Sequence, residues 1–167
     1  LKISVITTKR AYEELDRPKE LILDLRGNGG GLLDQAIALS GFFLPKGSRI
    51  VSTEGRSVPS VVHSVRRNPV FPAEGRLVVL IDERSASASE IVSGALQDWD
   101  RAIIVGRRSF GKGLVQRQYL LPDGSALRLV IARYHTPSGR EIQRPYVKGG
   151  DRTAYRTHSL PDTIPSP

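Results

Sequence analysis

Cysteine is absent from the chain, which excludes disulfides, thiol catalysis and thiolate metal sites together. No stretch approaches the roughly 18 consecutive apolar residues of a membrane-spanning helix. Histidine is scarce, and His63, His135 and His158 lack the H-x-x-x-H spacing that sets two ligands on one helix face. No metal centre is expected, and no motif calls for a cofactor. Acidic residues are outnumbered, 17 against 25 lysines and arginines, leaving a formal net charge of +8. A basic balance of that size can accompany nucleic-acid or anionic-lipid binding. Here the arginines are scattered, with only Arg66-Arg67 and Arg107-Arg108 adjacent, and no aromatic stacking platform accompanies them. The charge reads as general solubility, and no nucleic-acid partner is expected. Composition leaves the compartment open.

What is present amounts to one domain: 167 residues, 39% apolar and 25% charged, enough to bury a core. Leu1 to Val5 alternates like a strand without an initiating methionine or signal peptide, so a piece of a longer protein is expected. Thr8 to Leu15 suits a short helix with Tyr12 and Leu15 turned inward. Leu21-Ile22-Leu23-Asp24-Leu25 is a near-continuous apolar run, typical of a strand covered on both faces. It ends in Arg26-Gly27-Asn28-Gly29-Gly30-Gly31. A helix follows from Leu32 to Phe43, with Leu32, Ala36, Leu39, Ser40 and Phe43 on one side, and Pro45-Lys46-Gly47 stops it. Arg49 to Thr53 reads as a strand, Glu54 to Glu74 as a polar surface excursion, and Arg76 to Ile81 as a buried strand. Leu114 to Leu121 and Ser125 to Tyr134 form a hairpin across Pro122-Asp123-Gly124. The order argues for an α/β domain with a mixed sheet over residues 1–145. Beyond it periodicity fades into a tail, 146–167, expected to be poorly ordered or docked.

The chain is organised around the stretch from Leu77 to Gln116. An apolar strand empties into Ser85-Ala86-Ser87-Ala88-Ser89-Glu90, and the apolar residues Ile91, Val92, Ala95, Leu96 and Trp99 then fall on one helical face. Ser87-Ala88-Ser89-Glu90 fits the S-x-x-E capping box, with Ser87 at the N-cap. Orphan N–H groups and the positive dipole end favour an oxyanion there. A capping box by itself is a stability device. Among the competing serines, Ser89 falls inside the helix and Ser85 before the cap, which favours Ser87 as a nucleophile.

Two glycine-bearing loops invite a nucleotide reading and do not support it. Gly106 to Lys112 reads G-x-x-x-x-G-K, but Gly113 stands where a magnesium-binding hydroxyl belongs, and a strand follows instead of a helix. Gly27, Gly29 and Leu32 occupy the three positions of the dinucleotide fingerprint, so that spacing fails as well. A glycine-rich strand-to-helix junction is still a way to aim bare N–H groups at an anion.

Four blocks, Leu23 to Gly31, Ser85 to Ile91, Gly106 to Gly113 and Tyr134 to Gln143, resemble in order the signature blocks of the C-terminal processing peptidases. These tail-specific proteases are serine endopeptidases with a Ser/Lys dyad. The resemblance implies Ser87 as nucleophile, Lys112 as general base and Gln116 as the residue that orients the lysine. It implies an oxyanion hole from the paired glycines, Gly30 and Gly31, and the N–H of Ala88. The family usually carries proline or another residue where Gly29 stands. The implied fold is the crotonase/ClpP-like layered domain, a mixed β-sheet flanked by helices. Also implied are protein or peptide substrates with accessible C-termini, a periplasmic or cell-envelope location, and a PDZ module that in the family precedes the first strand and is expected to be absent from these 167 residues.

A lysine base must be desolvated, because a solvated lysine titrates near ~10.4 and stays protonated at neutral pH. Lys112 lies between Gly111 and Gly113 beside Phe110 and Leu114, suited to close approach, and Gln116 four residues on would share its side of a strand. A histidine triad is the rival arrangement, for which His135 beside a turn is the candidate and His63 and His158 read as surface residues. Two other functions stay open, a catalytically inactive peptide-binding relative and a crotonase-type acyl-CoA enzyme.

Overall fold

A computed structural model describes residues 5–145, with side chains from Thr8 onward. In chain order the elements are α1 (Val5–Glu14), β1 (Glu20–Asp24), α2 (Leu33–Phe43), β2 (Arg49–Glu54), β3 (Val61–Ser64) and β4 (Arg76–Ile81). These are followed by α3 (Ala88–Asp98), β5 (Ile103–Gly106), β6 (Leu114–Leu120) and β7 (Ala126–His135). The strands divide between two sheets. One is parallel, in the order β1-β4-β5, and the other is antiparallel, in the order β3-β2-β7-β6. The strand expected over the first five residues falls mostly outside the described residues, and Val5 already opens α1. The tail from residue 146 lies outside them altogether.

The parallel sheet shows why the site sits where it does. Leu23 pairs with Val79 and Val79 with Ile104, all on the face that packs into the core with Leu96, Val92 and Phe43. The other face carries the row Ile22, Val78 and Ile103. Ile22 is 67% exposed and Ile103 68%, so the two-sided covering expected of β1 is found on one side only among the described residues. Strands β1 and β4 run in parallel and end together, which brings the glycine loop after β1 beside the serine turn after β4.

Aromatic packing closes the core behind α2. Tyr12, Phe42, Phe43 and Phe71 meet edge to face with centroids 5.0–5.8 Å apart, the geometry favoured by ring quadrupoles. Phe71 is fully buried, which corrects the reading of Glu54–Glu74 as surface chain; that segment also contains β3. Arg101 fixes its return, donating to the carbonyls of Phe43, Gly75 and Pro72 at 3.1, 3.0 and 2.9 Å. Leu15 and Leu32, both expected inward, are exposed. Each stands just past a helix end, where the periodicity that placed it no longer holds.

Candidate active site

The glycine loop and the serine turn are bound to each other through their backbones. Ser85 Oγ lies 2.8 Å from the carbonyl of Leu25, and Ser89 Oγ donates to the carbonyl of Asn28 at 2.9 Å. That carbonyl also accepts the Ala86 N–H at 3.0 Å. Asp82 Oδ1 accepts the N–H groups of Gly27, Arg84 and Ser85 at 2.9, 2.9 and 3.0 Å. Desolvation would raise the Asp82 pKa, but the bonds from Gly27, Arg84 and Ser85 outweigh it and hold the carboxyl below its ordinary value. At the loop's entrance Arg26 grips Asp24 through two guanidinium bonds of 2.9 and 2.7 Å. The Arg26 side chain, then its backbone N–H, hold the Asp24 carboxyl down to about 2.

Ser87 stands at the N-cap of α3, as its spacing predicts, but with φ 57° and ψ −112°. A non-glycine residue there is strained, and such strain persists only where its surroundings enforce it. Ser85 and Ser89 are fully buried with their hydroxyls donated to loop carbonyls, whereas Ser87 is half-buried and its hydroxyl, placed to accept from the backbone at the third helical position, is donated to no loop carbonyl. Gly30 packs directly against it. Its φ is +98°, and a Cβ there would lie 2.5 Å from Ala86 O, 2.8 Å from Ala88 N and 2.9 Å from Ser87 Cβ. The Gly30 N–H is committed to Asn28 Oδ1 at 3.0 Å.

Glu90 joins this turn to the lysine loop. Its carboxylate is buried, 5% exposed, and accepts the Ser87 N–H at 2.7 Å, the expected half of a capping box. The same carboxylate takes the Ser109 hydroxyl at 2.8 Å and the N–H groups of Gly111 and Lys112 at 2.5 and 2.9 Å. Phe110 N–H reaches Ser85 O at 2.9 Å. From the other side the segment after β7 presses on the loop. Gly113 N–H donates to Gln143 Oε1 at 3.0 Å, and a Cβ on Gly113 would lie 2.3 Å from the Gln143 nitrogen. Glu90, Asn28 and Gln143 are thus structural members of the site that sequence reasoning passed over. In the sequence Glu90 reads only as a capping residue, because the loop it also serves lies 21 residues further on.

The lysine and glutamine are arranged differently from expectation. Lys112 is exposed, with Phe110 and Leu114 half-buried beside it, so the walls around its amine are open. It lies in the loop before β6, and a register shift falls between Val115 and Gln116. Because Lys112 precedes the strand, the alternation that would align it with Gln116 does not extend to it; the residue left unpaired at the shift is Ile131 on β7. Gln116 is exposed, and among the described residues no hydrogen bond joins it to Lys112. His135 ends β7 opposite Ser52, its buried Nδ1 without a hydrogen-bond partner among the described residues. His63 lies on β3 and lines a groove with α2, apart from the residues around Ser87. Among the described residues no group of His, Asp and Glu is placed to hold a metal ion.

A parallel sheet delivering a glycine loop and a strained serine to one helix start is the framework of a serine-type peptidase domain. Residues 6–149 match the family model of peptidase family S41, and the chain belongs to that family. Its relatives include the carboxy-terminal-processing protease of Bartonella bacilliformis, 52% identical over 128 residues that make up 77% of this chain and 29% of that protein. The carboxyl-terminal-processing protease of Synechocystis is 43% identical over 123 residues, 74% of this chain and 28% of the other. Among solved structures, the photosystem II D1 C-terminal processing protease superposes with a TM-score of 0.76 at 35% identity, covering 85% of this chain and 38% of that one. The chain thus spans less than a third of the length of these curated relatives.

Proposed function

We propose that this chain carries the catalytic core of a serine endopeptidase that cleaves proteins near their C-termini through an acyl-enzyme. Ser87 is the nucleophile and Lys112 the general base. One observation carries the assignment of the serine: of the three hydroxyls in the turn, those of Ser85 and Ser89 are spent on loop carbonyls, and that of Ser87 is not. Its strained backbone at a sharp strand-to-helix turn matches the way hydrolases present a nucleophile.

In the reaction Ser87 Oγ attacks the scissile carbonyl carbon while its proton passes to the neutral Lys112 amine. The carbonyl oxygen becomes an oxyanion held by backbone N–H groups, a contribution commonly worth ~3–4 kcal/mol per donor. Ala88 N–H is one donor. Of the paired glycines, Gly31 is assigned the second donor, because the Gly30 N–H is taken by Asn28; Gly30 provides the close approach. The lysine then protonates the leaving amine; a water attacks the acyl-enzyme while giving its proton to Lys112, which returns it to Ser87 Oγ as the carboxylic acid product departs. A lysine accepts a proton only when neutral, and water-excluding walls favour that form. Substrate lying over the exposed Lys112 would supply those walls, and Gln116 would turn to accept a bond from the amine in the same step. The substrates proposed are proteins with accessible C-termini, and the location proposed is the periplasm or cell envelope. Among the described residues no helix is long and apolar enough to cross a membrane.

The exposed lysine also favours a second reading, an inactive peptide-binding relative. A fluorophosphonate probe separates the two. Active-site reactivity predicts a single adduct on Ser87, lost in Ser87→Ala and strongly reduced in Lys112→Arg. An unlabelled wild-type chain would leave the binding reading standing.

A further inference from the structure

We propose that the groove between α2 and β3 binds an extended acidic peptide by adding it as a strand to the free edge of β3. The groove encloses about 830 Å³, within the ~300–1,000 Å³ of typical ligand sites. Its position is independent of the serine chemistry, and the proposal does not rest on it.

Three observations converge there. The first is the edge itself. Among the described residues β3 terminates the sheet and pairs with β2 alone. Val65 turns its N–H and C=O toward that partner, to Ser48 O and from Gly47 N, both at 2.9 Å. Alternation along an antiparallel strand then points the backbone groups of Ser64 and Val62 outward, and both residues line the groove. An unpaired edge of this kind is a template for strand addition. The second is the floor, where Ile37, Phe42 and Val65 lie beneath the opening. Val62 and Val70 at its lip are 55% and 44% exposed, apolar surface suited to alternate side chains of an added strand.

The third is charge. Lys9, Arg66 and Arg67 line the groove, with Asp34 its single carboxylate among the described residues. Lys9 touches Glu13 at 3.8 Å with both side chains exposed, a pairing worth little in water. Arg66 and Arg67 are exposed. A second copy of this chain, itself carrying a net charge of +8, is electrostatically a poor occupant. A nucleic acid would find an apolar floor where a stacking platform is needed. An acidic strand with alternating apolar residues satisfies edge, floor and rim together.

The test uses a blocked, fluorescein-labelled octapeptide alternating Glu and Val, titrated with the chain and read by anisotropy. Saturable binding is expected. It should weaken at least tenfold with Lys in place of Glu, and likewise when alternate peptide nitrogens are methylated, which removes the ladder without touching the protein. Arg66→Glu/Arg67→Glu should weaken it as much while fluorophosphonate labelling of Ser87 and the thermal midpoint stay unchanged. Ser87→Ala should bind normally. Binding indifferent to the two arginines or to backbone methylation would overturn the proposal. So would equal competition by heparin at matched charge, which would mark the site as a general polyanion surface.

Discussion

The backbone N–H of Lys112 donates to Glu90 Oε2 at 2.9 Å, so the helix that begins at Ser87 also sets where the lysine loop lies. One buried carboxylate serves Ser87, Ser109, Gly111 and Lys112. Glu90→Gln replaces one acceptor oxygen with an amide that faces N–H donors. Loss of a hydrogen bond to a charged group costs about 1.5–3 kcal/mol, and an ångström of misplacement can cost ~100-fold in rate. Fluorophosphonate labelling of Ser87 is therefore expected to fall about 100-fold, with helical circular dichroism retained. Labelling at the wild-type rate would show that Glu90 is only a cap.

The three serines should separate cleanly. Ser89→Ala loses the bond to Asn28 O and about 1 kcal/mol of stability, yet should still be labelled. Ser87→Ala and Ser87→Gly should both be unreactive but differ in stability. Glycine adopts φ 57° without strain, so Ser87→Gly is expected to be more stable than Ser87→Ala by ~1 kcal/mol. Denaturant midpoints decide it, and the reverse order would mean that the turn is relaxed.

Asp82 gives the clamp a pH dependence of known sign. Its folded pKa lies below its ordinary value, which is about 3.9 in an unfolded chain. The stability it contributes is present above about pH 4 and is lost as pH falls through the folded value. Wild type should therefore lose more stability between pH 7 and pH 3 than Asp82→Asn does. Equal losses in urea midpoint would show that its bonds to Gly27, Arg84 and Ser85 add nothing.

Local signals made much of this legible. The serine turn, the glycine run and the hairpin turn each declare themselves within ten residues, and their order suffices for the α/β class. What escaped depends on contacts distant in sequence. Phe71 sits in a stretch rich in proline and charge, yet it is buried because Tyr12 and Phe43 close on it and Arg101 lies over it. Ile22 belongs to an apolar run whose pattern cannot say that, among the described residues, only one face is covered. The alignment expected of Lys112 and Gln116 depends on where the strand begins, and β6 opens only at Leu114, so alternation does not reach the lysine.

The last prediction sets two neighbouring glycines against each other. Gly29 and Gly30 are adjacent in one loop, and only the family resemblance, which pairs Gly30 with Gly31 and tolerates another residue at Gly29, ranks them in the sequence. At Gly29 an added Cβ meets nothing within 4 Å, and the backbone is not in the left-handed region. Gly29→Ala should therefore be labelled normally and gain roughly 0.4–1 kcal/mol, because alanine restricts the unfolded chain. At Gly30 the same methyl would meet Ala86 O at 2.5 Å and Ala88 N at 2.8 Å, both backbone atoms that cannot swing aside. Its φ of +98° adds strain of order 1–3 kcal/mol. The loop must then retreat from Ser87, taking the proposed Gly31 donor with it. Gly30→Ala is expected to lose labelling as well as stability. If the two alanine variants behaved alike, the glycine loop would not abut Ser87 in the working protein, and the oxyanion hole would have to be sought elsewhere.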